Sequence, residues 1–269
     1  MTVKPPGRRE PGEVAGGLPV FDATVANPAR MWDYWLGGKD NFAVDREAAQ
    51  WVQEALPWLP GAIRGCRLFL RTSVHMLAAE YGIRQFLDIG PGLPTVGNTH
   101  EVAQQVAPSS RIVYADFDPV VAAHGRALLA SAPQGETEFV QADLRDPELI
   151  ISLAAGTLDF SQPAAIVLTN VVHFIDEDDD PYAIVGRLMG AVPPGSFLVM
   201  VHGASDLRAE VTEGTRRYNE VSSEPLAFRT RQQVTRFFDG LELLDAGSGD
   251  GRIGEAAAQL SYFGLGRKP

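Results

Sequence analysis

The run Phe86-Leu87-Asp88-Ile89-Gly90-Pro91-Gly92-Leu93-Pro94-Thr95-Val96-Gly97 constrains the fold of this 269-residue chain more than any other stretch. A short apolar segment ends in an acid, breaks at glycine, and continues from about Gly97 to Val106 in residues suited to a helix. A strand that turns at glycine into a helix N-terminus is how open α/β sheets build nucleotide sites. The rest of the chain is therefore read for the sheet that such a turn belongs to.

That sheet is legible in the alternation that follows. Strands are predicted near 85–89, 111–116, 137–141, 164–170 and 196–202, with helices near 97–106, 119–131, 146–155 and 181–191. A βαβ rhythm of this kind implies a parallel sheet covered on both faces. Past His202 the pattern loosens: 204–222 is helical and polar, and Ser222 to Phe228 is a loop. Thr230 to Phe238 is a helix whose Thr230 and Gln233 form a capping box. Leu241–Asp245 and Leu260–Gly264 are two further strands, and their Gly/Asp-rich connection 246–254 suits an antiparallel pair at the sheet edge. The expected fold class is α/β: seven strands, mostly parallel, with an antiparallel last strand.

Before the glycine turn the character differs. Residues 1–19 are rich in proline, glycine and charge and read as a disordered arm. Asn27-Pro28 caps a short helix that stops at Gly37-Gly38. Asp40 to Leu56 restarts as helix, with Asp40 as its cap and Pro57 and Pro60 ending it, and Gly61 to Tyr81 forms a longer amphipathic helix. All four tryptophans, Trp32, Trp35, Trp51 and Trp58, fall here, and with Phe42 they read as core positions. The expected organisation is a helical lid over 20–60 and a main domain over 61–269, with an insertion at 204–228 near the active site.

Composition excludes several classes. No apolar run is long enough to span a bilayer, and no apolar core segment follows Met1. Cys66 is the single cysteine, so an intrachain disulfide is impossible, which fits a reducing, cytoplasmic location. A net charge of −11 disfavours nucleic acid and anionic membrane as partners. The oligomeric state is not legible.

The chemistry concentrates after successive strands. A dinucleotide fingerprint G-x-G-x-x-G wants a third glycine at position 95, where the chain has Thr95. Asp88 precedes the turn; a carboxylate there repels a pyrophosphate and attracts an ammonium group, the pattern suited to S-adenosylmethionine. Asp116, at the end of the second strand and followed by Phe117, is placed to accept both ribose hydroxyls, while Asp118-Pro119 starts the next helix. Asp143 can accept from an adenine amino group, with the amide of Leu144 serving a ring nitrogen. Asn170 to His173 leave the fourth strand at the edge where such sheets bind ligands, and His173 is a candidate general base, with Tyr34 and His202 behind it. Each acid alone also reads as a turn residue. The run Asp176 to Asp180 reads as a solvated helix start, and no metal site is expected. In Tyr34 to Asp45, the residues Tyr34, Lys39, Asp40 and Asn41 are candidates to reach the cofactor's amino-acid end or the substrate.

Taken together, Leu87 to Gly92, Ala115 to Pro119, Gln141 to Leu144 and Asn170 to Phe174 resemble the Rossmann-like S-adenosylmethionine-dependent methyltransferases. A narrower resemblance, carried by Ala29-Arg30, Leu36 to Asp45, Gln85 to Thr95 and Gly264 to Pro269, is to an actinobacterial S-adenosyl methyltransferase family, formerly a domain of unknown function. The resemblance implies S-adenosyl-L-methionine as cofactor and the Rossmann-like fold, and brings no substrate with it; the function expected here is methyl transfer to an unidentified small molecule. On this reading Asp88, Gly90, Gly92, Asp116, Phe117, Asp143, Leu144, Asn170, Lys39 and Asn41 bind the cofactor, and His173 and Tyr34 are catalytic candidates. A cofactor-binding module without transferase activity and an NAD(P)-dependent oxidoreductase are the alternatives.

Overall fold

The computed structural model describes residues 22–128, 130–244 and 255–269. The expected arm at 1–19 and the connection at 246–254 lie outside them. The described residues form α1 (Pro28–Leu36), α2 (Ala43–Ala55), α3 (Leu59–Ala79), β1 (Gln85–Ile89), α4 (Thr99–Val106), β2 (Arg111–Asp116), α5 (Pro119–Leu128), β3 (Glu136–Gln141), α6 (Pro147–Ala154), β4 (Ala165–Thr169), α7 (Pro181–Gly190), β5 (Phe197–Gly203), α8 (Ala209–Val221), α9 (Arg231–Thr235), β6 (Glu242–Leu244), α10 (Glu255–Leu260) and β7 (Ser261–Arg267).

The strands make one seven-stranded sheet in the order β3-β2-β1-β4-β5-β7-β6. The first five pair in parallel, and β7 runs antiparallel between β5 and β6. Chain order reverses between β1 and β4, the topological switch point where open α/β sheets hold ligands outside their carboxyl ends. β1, β4 and β5 are apolar almost throughout because helices cover both faces. One face packs under α6 and α7, with Leu87, Val113, Ile166 and Leu198 at its centre. The other packs under α3, with Phe69, Phe86, Ile112, Val167 and Val199.

The N-terminal helices form a third apolar cluster with α8, joining Met31, Trp35, Ala49 and Val52 to Val211 and Tyr218. A buried ion pair ties α1 to α2. Arg30 Nε donates to Asp45 Oδ2 at 2.8 Å, and Asp45 also accepts from the backbone N–H groups of Asn27 (3.0 Å) and Phe42 (2.8 Å). Asp45, not Asp40, thus caps α2, which begins at Ala43 rather than Asp40. Pro60 opens α3 instead of closing α2, since its missing N–H belongs to an unbonded first-turn position anyway. Phe42 is exposed rather than core, and of the tryptophans only Trp35 is fully buried. The polar helix expected over 204–222 starts at Ala209, and the capped helix after Thr230 tightens into a 3-10 turn at Arg236–Phe238. β7 reaches Arg267, three residues past its expected end, because it is flanked by β5 and β6 and not by solvent. No helix among the described residues is long and apolar enough to cross a membrane.

Candidate functional site

The glycine turn follows β1 directly. Gly90 takes a φ of +69°, and its N–H continues the sheet ladder by donating to Ala115 O at 2.8 Å. A side chain here would strain the backbone and collide with Val171. Gly92 shares the φ of +69°, but a Cβ there would meet nothing within 4 Å, because the turn faces open space. That space is a cavity of about 950 Å³, its open mouth included, at the carboxyl ends of β1 to β4. Gly90 to Leu93, Asp116, Phe117, Ala142, Leu144, Asn170 and Val171 form its strand-end wall, and Asn27, Trp32, Asp33 and Leu36 of the α1 region face them. Arg67, Phe174 and Glu224 also line it.

The three acids after the strands meet different surroundings. Asp116 lines the cavity and is buried, with Oδ1 accepting the Asp118 N–H at 3.0 Å. Burial, reinforced by the neighbouring Asp118 charge, raises its carboxyl to about 7. Asp88 lies behind the lining, where Oδ2 accepts from Thr99 Oγ1 at 2.6 Å and Oδ1 has no hydrogen-bond partner. Burial raises it to about 6, against the opposing pull of the Thr99 hydroxyl and the Arg67 charge. Asp143 also stands off the lining and pairs with Arg145 at 3.1 Å, although Leu144 beside it lines the cavity. Asp118 caps α5 as expected, accepting from the Val120 N–H at 2.7 Å, and it accepts in addition from Asn27 Nδ2 at 2.6 Å. The first residue before α1 is thereby bonded to the end of β2.

On the α1 side, Asp33 is a buried carboxylate of the cavity wall. It accepts from the Asp40 N–H (2.9 Å) and Asn41 Nδ2 (2.7 Å), and burial raises its pKa. A Cβ at Gly38 would overlap the Asp33 carboxylate, which accounts for glycine in the second half of the Gly37-Gly38 stop. Asn41 thus serves Asp33 and not the cavity directly. Lys39 is exposed, and the Tyr34 hydroxyl accepts from Gln50 Nε2 at 2.9 Å; neither lines the cavity.

The histidines sit behind Asn170. His173 belongs to the 3-10 turn Val172–Phe174, is buried against His202 and Phe228, and does not line the cavity. Its Nδ1 accepts from the Gly203 N–H at 3.4 Å, its Nε2 has no partner, and burial drives its pKa well below the ordinary histidine value. His202 Nε2 accepts from Arg229 Nη1 at 3.0 Å, so the proton resides on Nδ1, which faces Gly203 O at 2.8 Å. Burial lowers it to about 3. Arg229, itself buried, also donates to Glu177 Oε1 and Ile175 O, both at 2.7 Å, and so staples the segment after β4. Asn170 precedes this staple with a φ of +59°, held there by the Asn170 N–H to Val201 O bond at 2.8 Å.

Of the residues singled out from sequence, the structure brings Gly90, Gly92, Asp116, Phe117, Leu144 and Asn170 together around one space. Arg67, Asp33 and Glu224 join them without having been anticipated. Arg67 looked like one arginine among several on an amphipathic helix, and its only local hint is Thr95, which accepts from Arg67 Nη2 at 2.7 Å where a dinucleotide turn has glycine.

Over residues 17–250 the chain matches the model of the S-adenosyl methyltransferase family. It is 38% identical to a DUF574-family protein from Streptomyces avermitilis, with a TM-score of 0.85 over 92% of this chain and 99% of that one. A Thermobifida fusca protein assigned to the methyltransferases is also 38% identical, with a TM-score of 0.83 over 91% of this chain and 96% of its own. An O-methyltransferase family protein from Burkholderia thailandensis, 16% identical, shares the fold at a TM-score of 0.52 over 84% of this chain and 59% of that one. No curated protein matches.

Proposed function

This chain belongs to the S-adenosyl methyltransferase family, and on that premise we propose how its residues hold the cofactor and where the methyl acceptor lies. It is an S-adenosylmethionine-dependent methyltransferase. The sulfonium supplies a methyl group that is already electrophilic, so the protein's task is alignment and exclusion of water.

In our reading Asp116 accepts the ribose hydroxyls, and Phe117 and Leu144 bracket the adenine, with the Leu144 amide toward a ring nitrogen. The backbone of Gly90 and Gly92 carries the amino-acid end, and Asp88 behind the turn supplies negative field for its ammonium group. Asp143, paired with Arg145, shapes the adenine end from outside the lining. Asn170 offers its backbone beside the sulfonium, and Lys39 and Asn41 support the loop that closes on Asp33. The acceptor is a small molecule that enters between Trp32, Leu36, Val171 and Phe174. A proton leaving a hydroxyl or amine acceptor falls to Asp33 or Glu224, carboxylates of the wall outside the ribose site. His173 and Tyr34 act through packing and through the α1–α2 contact.

We read 20–60 as the lid, 61–269 as the methyltransferase domain, and 204–228 as the insertion that backs the lid. A cytoplasmic protein without nucleic-acid partners fits the net charge of −11 and the lone Cys66.

Asp116 is the observation that carries the reading: a buried carboxylate on the cavity wall, at the end of the strand beside the glycine turn. Calorimetric titration with S-adenosylmethionine tests it. Saturable binding that Asp116→Ala weakens is expected; no binding, or a variant that binds as well as the parent, overturns it.

A further inference from the structure

Two buried carboxylates hold the α1–α2 region together, and they differ in their partners. Asp45 has a counterion, Arg30, at 2.8 Å. Asp33 is 4% exposed and accepts on Oδ2 from two neutral donors, the Asp40 N–H and Asn41 Nδ2. Among the described residues its Oδ1 accepts no hydrogen bond and no cation pairs with it. A buried ion that lacks a counterion keeps its desolvation cost without compensation. Asp33 lines the cavity, so a ligand can bring the missing charge. In the reading above the cofactor's own ammonium does not supply it, because that end of the cofactor lies on the Gly90 and Gly92 backbone of the facing wall.

The neighbouring lining suits a cation as well. Trp32 and Phe174 share the cavity with Asp33, and among the described residues neither ring has a protein cation over its face. Other rings of the same region do: Arg30 lies over Phe42, Arg217 over Trp51 and Arg208 over Trp58. An aromatic face attracts an ammonium group, most strongly where water is excluded. Glu224 adds a second carboxylate to the lining, while the one described lining cation, Arg67, is held at the glycine turn by Thr95 Oγ1 at 2.7 Å. A carboxylate or phosphate acceptor would meet like charge at Asp33, and an alcohol would leave Asp33 without a counterion.

We propose that the methyl acceptor is an amine carried on an apolar body, seated as its ammonium on Asp33 against the rings of Trp32 and Phe174. The proposal rests on the cofactor reading above and adds the substrate class to it. Leu36 and Val171 cover the hydrocarbon part. The bound ammonium gives one proton to Asp33, whose carboxyl is raised by burial and so accepts it more readily than an exposed aspartate. The freed nitrogen lone pair forms the N–CH3 bond as the methyl C–S bond breaks, and the electron pair of that bond stays on sulfur. The products are S-adenosylhomocysteine and an N-methylammonium, and the proton leaves Asp33 for solvent.

The test is calorimetric titration of the full chain, loaded with S-adenosylhomocysteine, with phenethylamine, 2-phenylethanol and 3-phenylpropanoate, three probes that share an apolar body and differ in the head group. The parent should prefer the amine over the alcohol by about tenfold or more, the worth of a hydrogen bond to a charged group, and should bind the acid most weakly. In Asp33→Asn that preference should fall to within about twofold, while the affinity for S-adenosylhomocysteine stays within about twofold of the parent. With S-adenosylmethionine in place of its product, the parent should pass the methyl group to the amine. Formation of the ether or the ester instead overturns the proposal, as does a parent that binds none of the three probes. An amine preference that survives Asp33→Asn overturns it too, and so does an equal loss of S-adenosylhomocysteine binding, which would put Asp33 on the cofactor's side. Should Asp33→Asn fail to fold, the parent's own choice decides: equal binding of amine and alcohol, or preference for the acid, overturns the proposal. A parent that does not bind S-adenosylhomocysteine or S-adenosylmethionine overturns instead the cofactor reading on which the proposal stands.

Discussion

The two walls of the cavity are held by different means. At the strand ends, the backbone does the shaping: Gly90 and Gly92 turn in left-handed conformation, and the Gly90 N–H and Asn170 N–H extend the ladders of their strands. On the α1 side, side chains do it: Asn27 reaches Asp118, Asp33 gathers the Asp40 and Asn41 donors, and the Arg30–Asp45 pair holds α1 to α2. A wall built on sheet backbone is over-determined by neighbouring strands. A wall built on a few charged side chains depends on each of them, because a buried ion left alone keeps its desolvation cost and loses its compensation.

Breaking the pair is the severest test of that contrast. Arg30→Met leaves Asp45 buried without its cation and should cost about 3–5 kcal/mol in urea unfolding; a loss below about 1 kcal/mol would mean the α1 wall stands without the pair. On the opposite wall, Gly90→Ala imposes a left-handed alanine and a clash with Val171, for a cost of about 2–4 kcal/mol and a matching loss of cofactor binding. If this variant melts with the parent, the turn is more pliable than its backbone bonds suggest.

Asp116→Asn sharpens the comparison by separating stability from binding. Cofactor affinity should fall about 10- to 100-fold as a charged acceptor becomes neutral. The fold itself should become more stable at neutral pH. The parent carboxyl is raised to about 7 from 3.8, so its stability is greatest below pH 3.8, declines as pH rises, and reaches its full deficit above about 7. Melting curves at pH 4 and pH 8 should therefore show the variant ahead only at the higher pH; an advantage equal at both would sink the assignment of a titrating Asp116.

Asn27→Ala removes the bond to Asp118 and the side-chain cap of α1, for about 1 kcal/mol and a small rise in the KM for cofactor. The smallest effect concerns the histidines. Burial lowers both His173 and His202, so the pH–rate profile should show no histidine limb between pH 6 and 7, and an inflection there that disappears in His173→Gln would reinstate a histidine base.

The same contrast explains what the sequence made legible. Gly90, Gly92 and Asp116 were readable because turn chemistry and strand-end position are local properties, set by a few neighbouring residues. Asn170 followed from the end of a strand already located. Arg67 and Asp33 were not, since each reaches the cavity only through the way α1 and α3 pack on the sheet, which no local pattern encodes. The capping of α2 shows the limit at its smallest scale: Asp40 and Asp45 are both acids near the helix start, and only the pairing with Arg30 decides between them. Asp88 and Asp143 are acids in the right places, yet Thr99 at the start of α4 engages the first and Arg145, two residues along the same turn, engages the second.

The placement of β7 between β5 and β6 bears on how the protein is made. β5 is buried along its whole length, and its outer edge is satisfied by β7, with Gly203 facing Ser261 and Phe197 facing Arg267. During synthesis the ribosome delivers the parallel half of the sheet first, leaving Phe197 to Val201 with open backbone donors and acceptors until the stretch at 261–267 emerges. An apolar strand waiting with an unpaired edge is an invitation to neighbouring nascent chains. The polar α8 and the intervening loops postpone the closing of that edge, so yield on expression should depend on how quickly the late strand arrives, or on a chaperone that shields β5 in the interval.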